Sequence, residues 1–276
     1  MDLWQEPGND EIVMTWNEFI YFGISAVVLS VAGAVFSSIQ DRRRIPVILI
    51  SLAIAVLCAF IAGLWHSLGR PPLKTMGETR LWYSLFALTA GLFTYLRWKY
   101  KWILPFSSVL ATVFILINIL NPEIHDKTLM PALQSPWFIP HVTLYMFSYS
   151  FAGCAFLLGM VSVFLPAGKK DGKLGGILES ADTLVYLCMA FMTFGLLSGA
   201  LWAKDAWGHY WSWDPKETWA AVTWLSYMLY MHLRLYGYSS RKMGWLLIFS
   251  FACLQMCWWG VNYLPAAQDS IHVYGR

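Results

Sequence analysis

IPVILISLAIAVLCAFIAGLW, residues 45–65, runs for 21 positions without a charged side chain. As a helix at 1.5 Å per residue it reaches about 30 Å, the thickness of a bilayer's hydrocarbon. Comparable apolar runs recur at 18–38, 81–96, 103–120, 141–165, 183–203, 218–235 and 244–263, that at 81–96 being short. The whole chain agrees: 58% of its 276 residues are hydrophobic and 13% charged, with mean hydropathy +0.52. A soluble domain of this length needs more charge to cover its surface. Together these features predict an all-α fold, a polytopic membrane helical bundle of about eight transmembrane helices, organised as a single domain over 1–276. The start of the chain lacks the basic, apolar and small-residue regions of a cleaved signal peptide, so none is expected.

Basic residues orient the bundle. Arg42, Arg43, Arg44, Arg97, Lys99, Lys101, Lys169, Lys170, Lys173, Arg234, Arg241 and Lys242 form four clusters that fall on one side if every span crosses. They are 12 of the 19 Lys and Arg residues; Arg70, Lys74, Arg80, Lys127, Lys204, Lys216 and Arg276 fall on the other side. The positive-inside rule then places both termini outside the cytoplasm. The first 17 residues agree, with no Lys or Arg and with Asp2, Glu6, Asp10 and Glu11. Topology accounts for the net charge of +3, and no nucleic-acid partner is expected. The connections are short. The outer loop at 121–140 is shaped by four prolines, and 174–181 reads as a short amphipathic piece along the interface.

The five cysteines, Cys58, Cys154, Cys188, Cys253 and Cys257, lie within the spans and form no CxxC pair. Apolar packing suits them better than disulfide or thiol-redox chemistry. Of the histidines, His66, His125, His141, His209 and His272 lie at or beyond the outer edge of the membrane. His232 alone is deep, about 14 residues or ~21 Å into a span that starts outside. Neutral imidazole suits iron, and a bis-His site needs two such rings facing one cavity.

The segment 202–219, WAKDAWGHYWSWDPKETW, which contains the outer loop expected at 204–217, holds Trp202, Trp207, Trp211, Trp213 and Trp219, with Tyr210 among them. An interfacial aromatic belt is one explanation, since indoles favour that depth. A binding platform is the other, because a planar apolar ligand wants large rigid rings and a few orienting polar groups. The residues themselves leave both readings open.

WGHYWSWDPKETWA (207–220) resembles the tryptophan-rich WWD signature of the CcsA/CcmC/CcmF haem-handling proteins of cytochrome c biogenesis. The rest of the chain is similar to the CcsA branch. PHVTLYMFSYSFA (140–152) resembles the segment bearing that family's first external histidine, here His141, and VNYLPAAQDSIHVYGR (261–276) the segment bearing the second, His272. WLSYMLYMHLRL (224–235) resembles the span with an intramembrane haem ligand, His232. GRPPLKTMGETRLWYSL (69–85) is similar to the early outer loop, departing from it at MGET. His209 sits in a variable position of the signature and gains no role from it.

The resemblance implies a System II function: haem b is carried across the membrane and presented or attached to apocytochrome c on the extra-cytoplasmic side. His141 and His272 are then the outer axial ligands, with Trp207, Trp211, Trp213, Asp214 and Trp219 around the macrocycle. An incoming CxxCH apocytochrome supplies a replacement histidine and two thiols. The setting implied is a bacterial inner membrane, with the tryptophan segment facing the periplasm or exterior. Membership of a cytochrome c synthase complex follows, with separate thiol reductants, since no outer cysteine pair is present. No other histidine shares the depth of His232, so its partner is a different residue type or comes from another protein. The resemblance implies a CcsB-type subunit. The alternative is a b-type membrane cytochrome passing electrons from a quinone to an outer acceptor, which wants two deep bis-His pairs where the chain has one deep histidine.

Overall fold

A computed structural model describes residues 14–39, 44–125, 135–164, 171–265 and 270, with the side chains of 171–175 left aside. The regular structure there is helical throughout, in eight α-helices: α1 (Phe19–Ile39), α2 (Arg44–Leu68), α3 (Met76–Trp98), α4 (Ile103–Leu120), α5 (Phe138–Phe164), α6 (Asp171–Trp207), α7 (Pro215–Leu235) and α8 (Ser240–Trp258). Five segments are long and apolar enough to cross a membrane: Trp16–Ile39, Arg44–Leu68, Ile103–Leu120, Phe138–Phe164 and Gly176–Trp207. In hydrocarbon an unpaired peptide group has no water to turn to, so helices that bond internally are the economical choice. The chain is a multi-pass membrane protein. Helices α3, α7 and α8 carry a larger share of polar and aromatic side chains than these five.

Helix starts are set by short polar signals. Thr15 and Glu18 form a capping box before α1, and Thr75 and Glu78 form one at the start of α3. Each closes orphan N–H groups at a helix entry. Glu78, in the stretch that departs from the family pattern, is buried and also takes a two-pronged ion pair from Arg70, at 2.9 and 3.1 Å. The run that looked short at 81–96 is a full helix because that cap starts it at Met76.

Two apolar cores form. One joins α1 and α2 to α3 and α4; the other lies among α5, α6, α7 and α8 and reaches α3. In the second, α5 crosses α8 where Gly244 meets the Gly159 carbonyl and Ser162, so closely that a methyl group there would collide. Small residues at a crossing let helix backbones approach in a membrane. The starts of α5 and α7 and the ends of α6 and α8 gather at one end of the bundle, as contacts of Phe138 with Trp202 and of Cys257 with Lys216 show.

Two expectations are corrected. Residues 174–181 are no separate interfacial piece: they belong to α6, one helix of 37 residues. The outer connection is also shorter than 204–217, because α6 continues through Trp207 and leaves only 208–214 before α7. An uninterrupted i to i+4 ladder outlasts the apolar run that marks the span in sequence.

Candidate functional site

His141 lies in the first turn of α5, one residue after Pro140. Its Nδ1 donates to the Gly195 carbonyl on α6 at 2.9 Å. That hydrogen bond puts the lone pair of the neutral ring on Nε2, the nitrogen suited to a metal. The ring stacks on Trp202, centroids 5.2 Å apart and planes inclined 28°, and meets the edge of Tyr145 at 4.9 Å. Trp202 is buried, 3% exposed, between Phe138 and Trp207, the latter at 4.8 Å. Room for the imidazole comes from α6. A Cβ at Gly199 would lie 2.5 Å from His141 Nδ1, and one at Gly195 would lie 3.0 Å from the Tyr145 ring. Glycines four apart thus make a flat seat for His141 and for Tyr145 one turn below it.

The connection 208–214 is a wired turn. Gly208, at φ +85°, ends α6 and donates to the Lys204 carbonyl at 3.0 Å. Lys204 returns a bond to the Gly208 carbonyl and lies over the Tyr210 ring. Asp214 caps α7 by accepting from the Lys216 amide, and Pro215 takes the first helical position. The buried Glu217 carboxylate reaches back to accept from the Ser212 and Asp214 amides at 2.7 and 3.2 Å. Between those two pinned amides Trp213 is held at φ +59°, a left-handed conformation that costs a bulky L-residue roughly 1–3 kcal/mol. Thr218 Oγ1 locks it by donating to the Trp213 carbonyl at 3.1 Å. The outcome is an indole 70% exposed, with Trp211 edge-on to it at 5.7 Å. Trp211 itself turns inward, and its Nε1–H is buried without an acceptor among the described residues.

Beneath the turn, burial pulls the Lys216 ammonium below its ordinary pKa, partly offset by Cys257 and Asp214. Asp214 also accepts from Ser270 Oγ at 3.0 Å, tying the C-terminal segment to the turn. His272, two residues further on, lies outside the described residues.

His232 stands apart. It occupies the last turn of α7, 17 residues beyond Pro215, which is ~26 Å along the helix. Its ring is exposed on the flank of the bundle, and Nδ1 donates to the Met228 carbonyl at 2.8 Å, again placing the lone pair on Nε2. Next to it in sequence, Tyr230 and Arg234 turn the other way. Arg234 grips Asp182 of α6 with two bonds of 2.8 and 2.6 Å, and the buried Tyr230 hydroxyl donates to the same carboxylate at 2.8 Å.

The structure therefore brings His141, Trp202 and Trp207 into one box, sets Trp211, Trp213 and Asp214 in the adjoining turn, and leaves Trp219 half-exposed on the second turn of α7. Among the histidines without an assigned role, His125 stacks flat on Trp16 at 3.9 Å, whereas His66 and His209 are exposed. Sequence reasoning missed Tyr145, Gly195 and Gly199. The four-residue spacings, 141 to 145 and 195 to 199, were the available signal.

Residues 20–267 match the family described as Cytochrome C assembly protein. The chain is 34% identical over 245 residues to the cytochrome c biogenesis protein CcsA of Chlamydomonas reinhardtii, covering 84% of this chain and 68% of that one. With the protein of the same name from Prochlorococcus marinus (strain AS9601) it is 31% identical over 278 residues, 88% of each. Both proteins are named for cytochrome c biogenesis, which leaves the electron-carrier reading without support. The chain therefore belongs to the cytochrome c assembly protein family, as a protein of the CcsA type.

Proposed function

We propose that this protein carries haem to the tryptophan end of the bundle and presents it there for attachment to apocytochrome c. The observation that supports this most directly is His141, whose ring is oriented by the Gly195 carbonyl so that Nε2 carries the lone pair, in a wall of Trp202, Trp207 and Tyr145. The orphaned Trp211 N–H fits the same cargo, because a haem offers carboxylates as acceptors at its edge. Trp213 and Trp219 supply further ring area.

On this reading eight helices cross the bilayer, both termini lie outside the cytoplasm, and the tryptophan turn faces the periplasm or its equivalent. His141 and His272 ligate the iron of haem b. The incoming CxxCH histidine replaces one of them, and each cysteine S–H adds across a vinyl C=C, forming C–S and C–H bonds with no net redox change. The protein contributes proximity and alignment, worth several orders of magnitude in rate when reacting atoms are held in register. Asp214 and Glu217 shape the turn. His232, exposed at the far end, awaits a second ligand from a CcsB-type subunit, and other proteins keep the apocytochrome thiols reduced.

The test is spectral. In membranes containing the full chain, His141→Gly should remove one haem-ligand signal, and added imidazole should restore it, because the seat on Gly195 and Gly199 remains. Haem binding unchanged in His141→Gly would overturn the assignment.

A further inference from the structure

His232 and the tryptophan turn are joined by one face of α7. Thr218, Val222, Leu225, Leu229 and His232 follow at steps of four, three, four and three, which align on one side of a helix. That side looks away from the bundle: Leu225 is 58% exposed and Leu229 49%, His232 is exposed, and Thr218 and Val222 are half-exposed. Ala221 widens the upper part, where Thr218, Ala221 and Val222 form a shallow shelf of small side chains. At its upper end the face runs into the turn through the Thr218 bond to the Trp213 carbonyl.

The opposite side of α7 is closed. Tyr227 and Tyr230 are fully buried, in one core with Leu184, Val185 and Cys188 of α6, all at 0% exposure. The Asp182 bonds to Tyr230 and Arg234 bolt the lower end of that seam, and Trp224 Nε1 donates to Thr193 across its upper part at 2.9 Å. A seam closed by these side chains leaves no passage for a macrocycle between α6 and α7. His232, meanwhile, turns an imidazole out of the bundle, where bare hydrocarbon penalises a polar group.

We infer that haem moves between the His232 position and the tryptophan turn along the outward face of α7, sliding over Leu229, Leu225 and the Ala221–Val222 shelf, and does not pass through the bundle core. This rests on the haem-carrying function proposed above. The face offers apolar contact without strong anchors between its ends, which is what a transfer track requires: an iron ligand below, small and aliphatic side chains along the way, and large rings above. The distance to cover from His232 to Thr218 is 14 residues, about 21 Å along the axis. A covering helix from another subunit would complete the track without altering it.

The test blocks the face. Ala221→Trp and Leu225→Trp are introduced into the full chain in its own membrane, with Val109→Trp on the exposed flank of α4 as control. Haem signals dependent on His232 and on His141 are then read separately. The blocked variants should keep the His232-dependent signal and lose the His141-dependent one by about tenfold or more, while the control keeps both. Normal upper loading in both blocked variants, or a loss in Val109→Trp equal to that in Leu225→Trp, would overturn the track. If the parent shows neither histidine-dependent signal, it is the haem-carrying function that falls.

Discussion

His141 and His232 are both histidines near helix ends, each with Nδ1 committed to a carbonyl and the lone pair on Nε2. Their surroundings could hardly differ more. His141 donates to a carbonyl on another helix, lies against two aromatic rings, and fills space left open by Gly199. Among the described residues His232 bonds only to its own helix, one turn back, and it is exposed. Tertiary structure has built a seat around the first histidine and a pedestal under the second. On the proposed function, the contrast means that this chain would shape the His141 haem position largely by itself and would offer only half of the one at His232, the rest falling to a membrane partner.

The comparison breaks most dramatically if the seat is filled. Gly199→Leu would drive a side chain into the space of the His141 ring. It should abolish the His141-dependent haem signal, leave the His232-dependent one, and cost roughly 1–3 kcal/mol of stability from overpacking. Retention of the His141 signal would show that the seat does not orient the ligand. Asp182→Asn probes the other end. With both partners about a fifth exposed, losing the charge should cost only about 1 kcal/mol, yet it should broaden or shift the His232-dependent absorption and spare that of His141. The swapped pair Asp182→Arg with Arg234→Asp should restore it. Equal changes at both ends would mean that Asp182 acts on the whole bundle and not on the pedestal.

Trp213→Gly is the smallest effect in energy and the most telling in sign. Relief of the left-handed strain should stabilise the protein by up to about 1 kcal/mol, visible as a slightly higher unfolding temperature in detergent, while haem transfer to apocytochrome falls. A lower unfolding temperature would show that the indole contributes packing that outweighs its backbone cost.

Much of this was legible before any coordinates. Uncharged runs of bilayer length define the helices, because hydropathy and length are properties of the chain alone. The tryptophan segment and its flanking Asp-Pro-Lys-Glu are equally local: an Asp, a Pro one residue on and a Glu three residues on make a capped helix start wherever they occur, and α7 begins there. Less legible was where the neighbouring helix ends. Trp207 read as a loop residue, yet it lies on α6, since the helical ladder carries on past the last strongly apolar turn. Residues 174–181 misled for the same reason in the other direction.

Sequence by itself determined that this is a helical membrane protein with a tryptophan turn and histidines at two depths, since each of those features depends only on the order of residues along one segment. Only the tertiary structure decided which histidine would be seated and which exposed. That choice depends on what the neighbouring helices present: two glycines, a carbonyl and an indole from α6 around His141 and Tyr145, and for His232, among the described residues, a hydrogen bond to its own helix alone. Residues from different helices meet through packing, and no single segment carries that information.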